Sequence, residues 1–352
     1  MLYDPAALVA VAEARPRGRW RDLLEERRFL AATLIAPAVI FILALVGGPL
    51  LLSVYLSLTD ATGGTLHGHW VGLDNFTNAW SDPNFRRALR NTILFTVVSQ
   101  AIVLVCAGLI AHALTRPIHG RWILRFLILL PWAAPVPLST IGWLWMYDSL
   151  FSVVNWTLVH DLFPGHHAFY LYKVVNWLPL PFGDIDRLNP PQWLGNSTLA
   201  LVAVISVHAW RLIPFAVVIF LAGLASIPTE VQDAARIDGA TGFRKFLYVT
   251  LPLQLPIATV ALLFGIVFTA TDMTVVYILT RGGPFNSTQM LTTWAYQTGI
   301  NSGNLGEGAA ISLYLLPLLF VVAVLMLRFA RKVEVSRRPR GTMGSSSITR
   351  ST

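Results

Sequence analysis

The sequence predicts an all-α membrane protein with six transmembrane helices and both termini cytoplasmic. Composition, six long apolar runs and the placement of lysine and arginine carry that prediction. Of 352 residues, 55% are hydrophobic and 12% charged, about half the charged fraction of an ordinary soluble domain. Mean hydropathy is +0.61. A soluble chain of this length needs a polar surface that these residues cannot supply, so lipid is expected to cover much of it.

The first run, Phe29–Leu58, exceeds the roughly 20 residues that cross a bilayer. Gly47, Gly48 and Pro49 are expected to interrupt it near its outer end. The second is Thr92–Leu114. The third, Trp122–Tyr147, carries Pro131, Pro135 and Pro137; a membrane helix tolerates such kinks when neighbours re-satisfy the freed backbone groups. Thr198–Leu224, Leu253–Leu279 and Ala309–Phe329 complete the six.

Basic residues orient these spans. Nineteen lie on one side: in the N-terminal tail, the second connection (Arg116, Arg121, Arg125), the fourth (Arg236, Arg244, Lys245) and the C-terminal end. Six lie on the other: Arg86, Arg87, Arg90, Lys173, Arg187 and Arg281. The excess marks the cytoplasmic face. It also accounts for the net charge of +8 without nucleic acid as a partner.

Residues 1–28 read as a cytoplasmic tail with no apolar stretch of their own, and so not as a cleavable signal. Residues 29–332 form the transmembrane domain, and 333–352 a polar tail expected to be disordered. The longest connection, 148–197, is punctuated by Pro164-Gly165, Pro179, Pro181 and Pro190-Pro191 and reads as an outer cap of short pieces. Its His160, His166 and His167 with Asp161 are irregularly spaced and read as a solvated loop, not a metal site. Cys106, the single cysteine, excludes a disulfide framework or multi-cysteine metal centre and reads as inert packing. Trp70, Trp80, Trp177 and Trp193 fall near outer boundaries as an aromatic belt.

The fourth connection, 226–252, is the most informative. Ser226 or Thr229 is suited to cap a helix that Pro228 opens, with Glu230 and Asp233 at its positive end and Gly239 as its stop. A second amphipathic piece follows, with Phe243, Phe246 and Leu247 on one face and Arg244 and Lys245 on the other. By physics alone this is an interfacial helix pair with a glycine hinge.

The same stretch resembles the signature of ABC-importer permeases: Glu-Ala-Ala, three residues, Gly, nine residues, Ile, one residue, Leu-Pro. It reads here as Asp233-Ala234-Ala235, Gly239 and Val249-Thr250-Leu251-Pro252 at that spacing. Val71-Gly-Leu-Asp-Asn-Phe76, Asp82-Pro-Asn-Phe85 and Ala88-Leu-Arg-Asn91-Thr92 resemble the first outer loop of the carbohydrate-type permeases, the maltose and glycerol-phosphate group. Thr280-Arg-Gly-Gly-Pro284 resembles that group's Thr-Gly-Gly-Gly-Pro, with Arg281 in place of a glycine.

The resemblance implies the type I ABC-importer permease architecture in a plasma membrane. It implies a heterodimer with a second permease, two ATPase subunits that carry Mg-ATP, and an extracytoplasmic solute-binding protein. With no P-loop and only three lysines, this chain is expected to hold no cofactor and to be no enzyme itself. The residues implied to couple to the ATPase are Glu230, Asp233, Ala234, Ala235, Asp238, Gly239, Ala240, Phe243 and Phe246.

Arg211 and Asp272 are the charges inside spans, and intramembrane charges are functional candidates by default. By position the resemblance puts the sugar path at His208, Arg211, Leu212, Phe215, Thr269 and Asp272. Arg211 departs from the apolar residue expected there. A structural Arg211–Asp272 ion pair is the equal alternative. Sugars, polyols and glycerophosphodiesters stay open as solutes. The rivals from other classes are a proton-coupled transporter using Asp272 and an intramembrane enzyme using His208 and Asp272. The first expects repeated halves, which the sequence lacks; the second has no reason to carry the coupling spacing.

Overall fold

The computed structural model describes residues 27–65, 68–117, 119–149, 151–160, 172, 173, 176 and 190–335; side chains are described for the same set less 27–29, 243 and 329–335. The expected tails, most of the outer cap, Trp177 and the His166–His167 group thus lie outside the described residues. Within them the protein is helical, and its only extended pairings are two isolated bridges, Thr59–Trp70 and Thr62–Thr65.

Of the described residues, those from Arg27 to Tyr55 belong to a unit of their own. Helix α1 (Arg27–Ile42) passes through a π-helical turn, Leu43–Gly47, into α2 (Gly48–Ser57). The expected interruption at Gly47–Pro49 is therefore a bulge and not a break. A π turn widens the ladder by one residue just where Pro49 could neither donate nor clear the carbonyl four residues back. A second π turn, Phe246–Thr250, lies two residues before Pro252 in the same way.

The second unit begins at Leu56. Helix α3 (Asp74–Ser81) precedes α4 (Pro83–Leu114), which starts nine residues before the expected span. Asp82 is the reason: its carboxylate accepts from the Asn84 N–H at 2.9 Å, and Pro83 occupies the first turn. At 1.5 Å per residue α4 is roughly 48 Å long, more than a hydrocarbon core, so its first turns with Arg86, Arg87 and Arg90 extend beyond one.

The third predicted span is α5 (Arg121–Ala133) and α6 (Val136–Met146), bent by 96° where Ala134 goes extended ahead of Pro135. A short α7 (Val153–Val159) follows. Here Trp193 corrects the belt assignment: it is 8% exposed, and its indole N–H donates to Asn155 Oδ1 at 2.8 Å. Trp70 and Trp80 are exposed.

Helix α8 (Ser197–Ala225) is capped by Asn196, which accepts from Thr198 and Leu199. Helices α9 (Thr229–Ile237) and α10 (Gly242–Lys245) lead through the second π turn into α11 (Leu251–Ala270). The fifth predicted span is not one helix. It stops at Ala270 and resumes as α12 (Thr274–Leu279). After α13 (Leu291–Tyr296), α14 (Leu305–Leu313) and α15 (Leu315–Val335) complete the described residues. Five helical stretches are long and apolar enough to cross a membrane, or six if the bent α5–α6 pair is one span.

α8 packs most extensively on α4, with α11 against both. Ala107 and Ala111 of α4 meet Ala209 and Ala216 of α8 in one core cluster, small residues that let backbones approach where no hydrophobic effect drives helices together. Away from this core, Asn75 donates to the carbonyls of Ser57 (2.9 Å) and Thr59 (2.8 Å), and Gly306 lies so close that a Cβ would overlap the Thr59 carbonyl. Gly306→Ala is expected to cost about 1–3 kcal/mol, seen as a lower unfolding midpoint of the detergent-solubilised chain. Gly108→Ala, whose Cβ would meet nothing within 4 Å, should not lower it.

Candidate functional site

Three helices meet at a buried polar chain. Helix α8 places His208 and Arg211 one turn apart, α4 contributes Gln100, and Thr269 and Asp272 stand at the end of α11. Arg211 Nη2 donates to Asp272 Oδ2 at 2.7 Å, and His208 Nδ1 lies 2.7 Å from the same oxygen. The ring's Nε2 lies 2.9 Å from the Thr269 hydroxyl, which donates to the Gly265 carbonyl (2.7 Å) and accepts from Gln100 Nε2 (2.6 Å). The remaining Asp272 oxygen accepts from the Val275 N–H at 3.3 Å. This explains the interrupted fifth span: an aspartate in the break caps α12. Thr292 donates to the Asp272 carbonyl at 3.3 Å, so the break does not strand that acceptor.

The six positions of the expected solute path do not share one surface. His208 and Leu212 are 0% exposed and Thr269 1%; they lie within the helix packing. Arg211 is 14% exposed at its side chain and its Nε has no partner among the described residues. Phe215, one turn on, is half-buried. It joins three rings that sequence reading missed: Trp132 stacks on it at 5.0 Å, Phe268 meets it edge-on at 5.5 Å, and Phe264 at 6.3 Å. Those three are 38–49% exposed. Their spacing on separate helices left no local signal, although Phe264 and Phe268 are four residues apart and so share one helix face.

The 226–252 connection forms the two helices expected, with differences at the start. Neither Ser226 nor Thr229 caps α9. Ser226 closes the end of α8 instead, donating to the Gly223 carbonyl at 2.8 Å, and Pro228 holds the N-cap position without a side-chain bond. Glu230 lies in the first turn, and Asp233 pairs with Arg236 at 3.1 Å. The helix ends in a Schellman motif: Ala240 N–H reaches the Ala235 carbonyl (2.9 Å), Gly239 N–H that of Arg236 (3.0 Å), and Gly239 has φ 76°. Ala235 is the buried residue of α9. Glu230, Asp233, Ala234, Asp238 and Gly239 are exposed, Ala240 and Phe246 half-buried, and Ile237 is 86% exposed. The Phe243 side chain lies outside the described residues.

At the opposite end, the Thr280–Pro284 turn is held against α4. Arg87 donates to the Phe285 carbonyl (2.9 Å), and Asn91 to those of Ser287 (2.8 Å) and Gln289 (3.1 Å). Arg281, Phe285 and Asn286 take positive φ, a strained state for non-glycine residues that tends to collect at functional positions. Phe285 is 89% exposed.

A bundle of apolar helices with an exposed signature helix between two of its spans defines a transport permease. Residues 105–335 match the family described as binding-protein-dependent transport system inner membrane component, and the chain belongs to that family. It is 30% identical to the sulfoquinovosyl glycerol transport system permease protein SmoG of Agrobacterium fabrum, over 89% of this chain and 93% of that one. It is 28% identical to the trehalose/maltose transport system permease protein MalF of Thermococcus litoralis, over 86% and 94%. Its fold is similar to that of a bacterial alginate ABC transporter crystallised with an alginate pentasaccharide-bound periplasmic protein: TM-score 0.68, 18% identity, 90% of this chain and 98% of that one.

Removing one member of a buried ion pair leaves the other charge uncompensated, at about 3–5 kcal/mol. Asp272→Asn is therefore expected to lower the unfolding midpoint sharply. The double variant Asp272→Asn with Arg211→Met should recover most of the loss, as a four-way comparison of unfolding midpoints would read.

Proposed function

We propose that this chain is the membrane-spanning permease subunit of an ATP-driven importer and forms half of the path for a sugar or sugar-like solute. In this reading it crosses the plasma membrane six times with both termini cytoplasmic. It pairs with a second permease, and an extracytoplasmic binding protein delivers the solute. Two ATPase subunits bind and hydrolyse Mg-ATP, so the chemistry belongs to partners.

The observation that carries the proposal is α9: exposed, apolar at Ile237, ended by Gly239, and joined by short links to both α8 and α11. Closure of the ATPase dimer would pull on α9. Because Arg211 and His208 tie α8 to Asp272 just beyond α11, the two spans would move together as a rigid element. Glu230, Asp233, Ala234, Asp238 and Ala240 surround that contact.

For the solute path, the supporting surface is Arg211 with Phe215, Trp132, Phe264 and Phe268. Aromatic faces suit the C–H faces of a sugar ring, and the Arg211 guanidinium, 14% exposed at its side chain, suits an oxygen acceptor. His208, Leu212, Thr269 and Asp272 then support this surface from behind. Sugar transport by the named relatives favours a carbohydrate. The Arg211 guanidinium keeps a glycerophosphodiester as the second reading, since it also suits an anionic group, and a polyol would offer it hydroxyl acceptors as a sugar does. A proton-coupled mechanism at Asp272 is disfavoured, because that carboxylate is engaged by both Arg211 and His208.

Tagged purification from native membranes should bring down a P-loop ATPase and a second permease; isolation of the chain alone would overturn the proposal. Gly239→Pro is incompatible with φ 76°, and Ile237→Asp puts a charge in the docking face. Both should insert normally yet lose solute uptake at least about tenfold, with ATPase co-purification reduced. Trp132→Ala and Phe268→Ala should leave the complex assembled and lower uptake by about threefold to tenfold, measured with labelled sugar in proteoliposomes.

A further inference from the structure

Between α4, α5, α8, α9 and α10 lies an open cavity of about 900 Å³. Five cationic side chains line it: Arg116 just after α4, Arg121 and Arg125 one turn apart on α5, Arg236 on α9, and Lys245 at the end of α10. Among the described residues no aspartate or glutamate lines it. Among the described residues, Arg236 is the member paired with a carboxylate, that of Asp233. Lys245 reaches the Gln232 amide oxygen at 3.4 Å, and Arg125 the Leu114 carbonyl at 3.5 Å. In the same wall His112 stands edge-on to Phe246 at 5.7 Å, its Nδ1 buried with no partner among the described residues. Helix α5 starts here without a side-chain cap, so its positive end adds to the field.

The bias of basic residues toward the cytoplasm explains their number on one side, but not their convergence in a concavity from segments more than a hundred residues apart. Like charges gathered so closely repel unless an anion lies among them. The α8 side of the cavity has the opposite character. Val218, Leu221 and Leu224 of α8 line it, and the neighbouring outer face of α5 carries Trp122 (73% exposed) and Phe126 (61%). A free phosphate would use the cations alone, whereas a phospholipid would use both parts.

We infer that this cavity binds the phosphate group of an anionic phospholipid, held by Arg116, Arg121 and Arg125 with an acyl chain along the α8 wall. Planar arginine forks suit phosphate oxygens, and basic pockets between spans at the cytoplasmic surface are where such headgroups bind. The bound lipid would bridge α5 to the α9–α10 segment. The inference needs the membrane reading of the chain, but not the identity of the solute.

The test is native mass spectrometry of the full chain after exchange into mild detergent with phosphatidylglycerol or phosphatidylcholine. Wild type is expected to keep phosphatidylglycerol about tenfold better than phosphatidylcholine, and R121Q/R125Q to lose that preference. R328Q, outside the cavity, should keep it. R121K/R125K preserves the charges that orient the spans but not the forks, and should lie between, which separates lost binding from failed insertion. Equal retention of both lipids by wild type, or an unchanged preference in R121Q/R125Q, would overturn the inference. Inorganic phosphate that displaced the lipid completely would reassign the site to a soluble phosphate and overturn the lipid as its source. The same measurement on the assembled transporter completes the test: loss of the lipid there would assign the cavity to a partner's acidic segment.

Discussion

A carboxylate held between helices away from water survives only if donors meet it, and Asp272 is met by Arg211, by His208 and by the N–H of Val275. Much of the second unit is arranged around that requirement. The fifth predicted span must break for the aspartate to cap α12, α8 must present two polar residues one turn apart, and α4 must bring Gln100 within reach of Thr269. Gly265 is part of the same constraint, since a Cβ there would overlap the Gln100 side chain. The network thus ties α4, α8 and α11 at one depth. A permease that rocks as a rigid body needs such a tie, because apolar packing alone lets helices slide.

Backbone satisfaction is the second constraint. Prolines in apolar helices free carbonyls that lipid cannot meet, and the chain handles them in different ways. Before Pro49 and Pro252 it widens into π turns; at Pro135 it turns through 96°; Pro83 stands in a first turn. Each outcome follows from the residues around the proline. A continuous apolar run absorbs it, an extended residue before it turns the chain, and an aspartate cap makes it a start.

The two ends of the bundle carry different chemistry. One presents α9 and a concave cluster of cations. The other presents Phe285 on a strained turn pinned to α4 by Arg87 and Asn91. In the proposed function, energy entering at the first end and a solute-loaded protein arriving at the second would meet through the tied spans, with the aromatic group around Phe215 between them. This arrangement also gives Arg211 a double setting: one nitrogen locks the helices, while Nε is buried with no partner among the described residues.

What the sequence by itself determined was the local and the periodic: an all-helical chain, its apolar runs, the α9 helix with its glycine stop, and the two charges inside spans. These were legible because composition, proline and glycine chemistry and a fixed spacing act over short distances. Boundaries set by a competing cap were not. Asp82 moved the start of α4 outward, and Asp272 cut the fifth span in two. Whether Arg211 and Asp272 pair was undecidable from the sequence, since they stand 61 residues apart. Only the tertiary structure could bring them within 2.7 Å, seal His208, Leu212 and Thr269 behind them, gather Trp132 with Phe215, and assemble cations from distant connections into one cavity. Those are contacts between helices, and helix packing depends on side-chain shape across the interface, which no window along the chain contains.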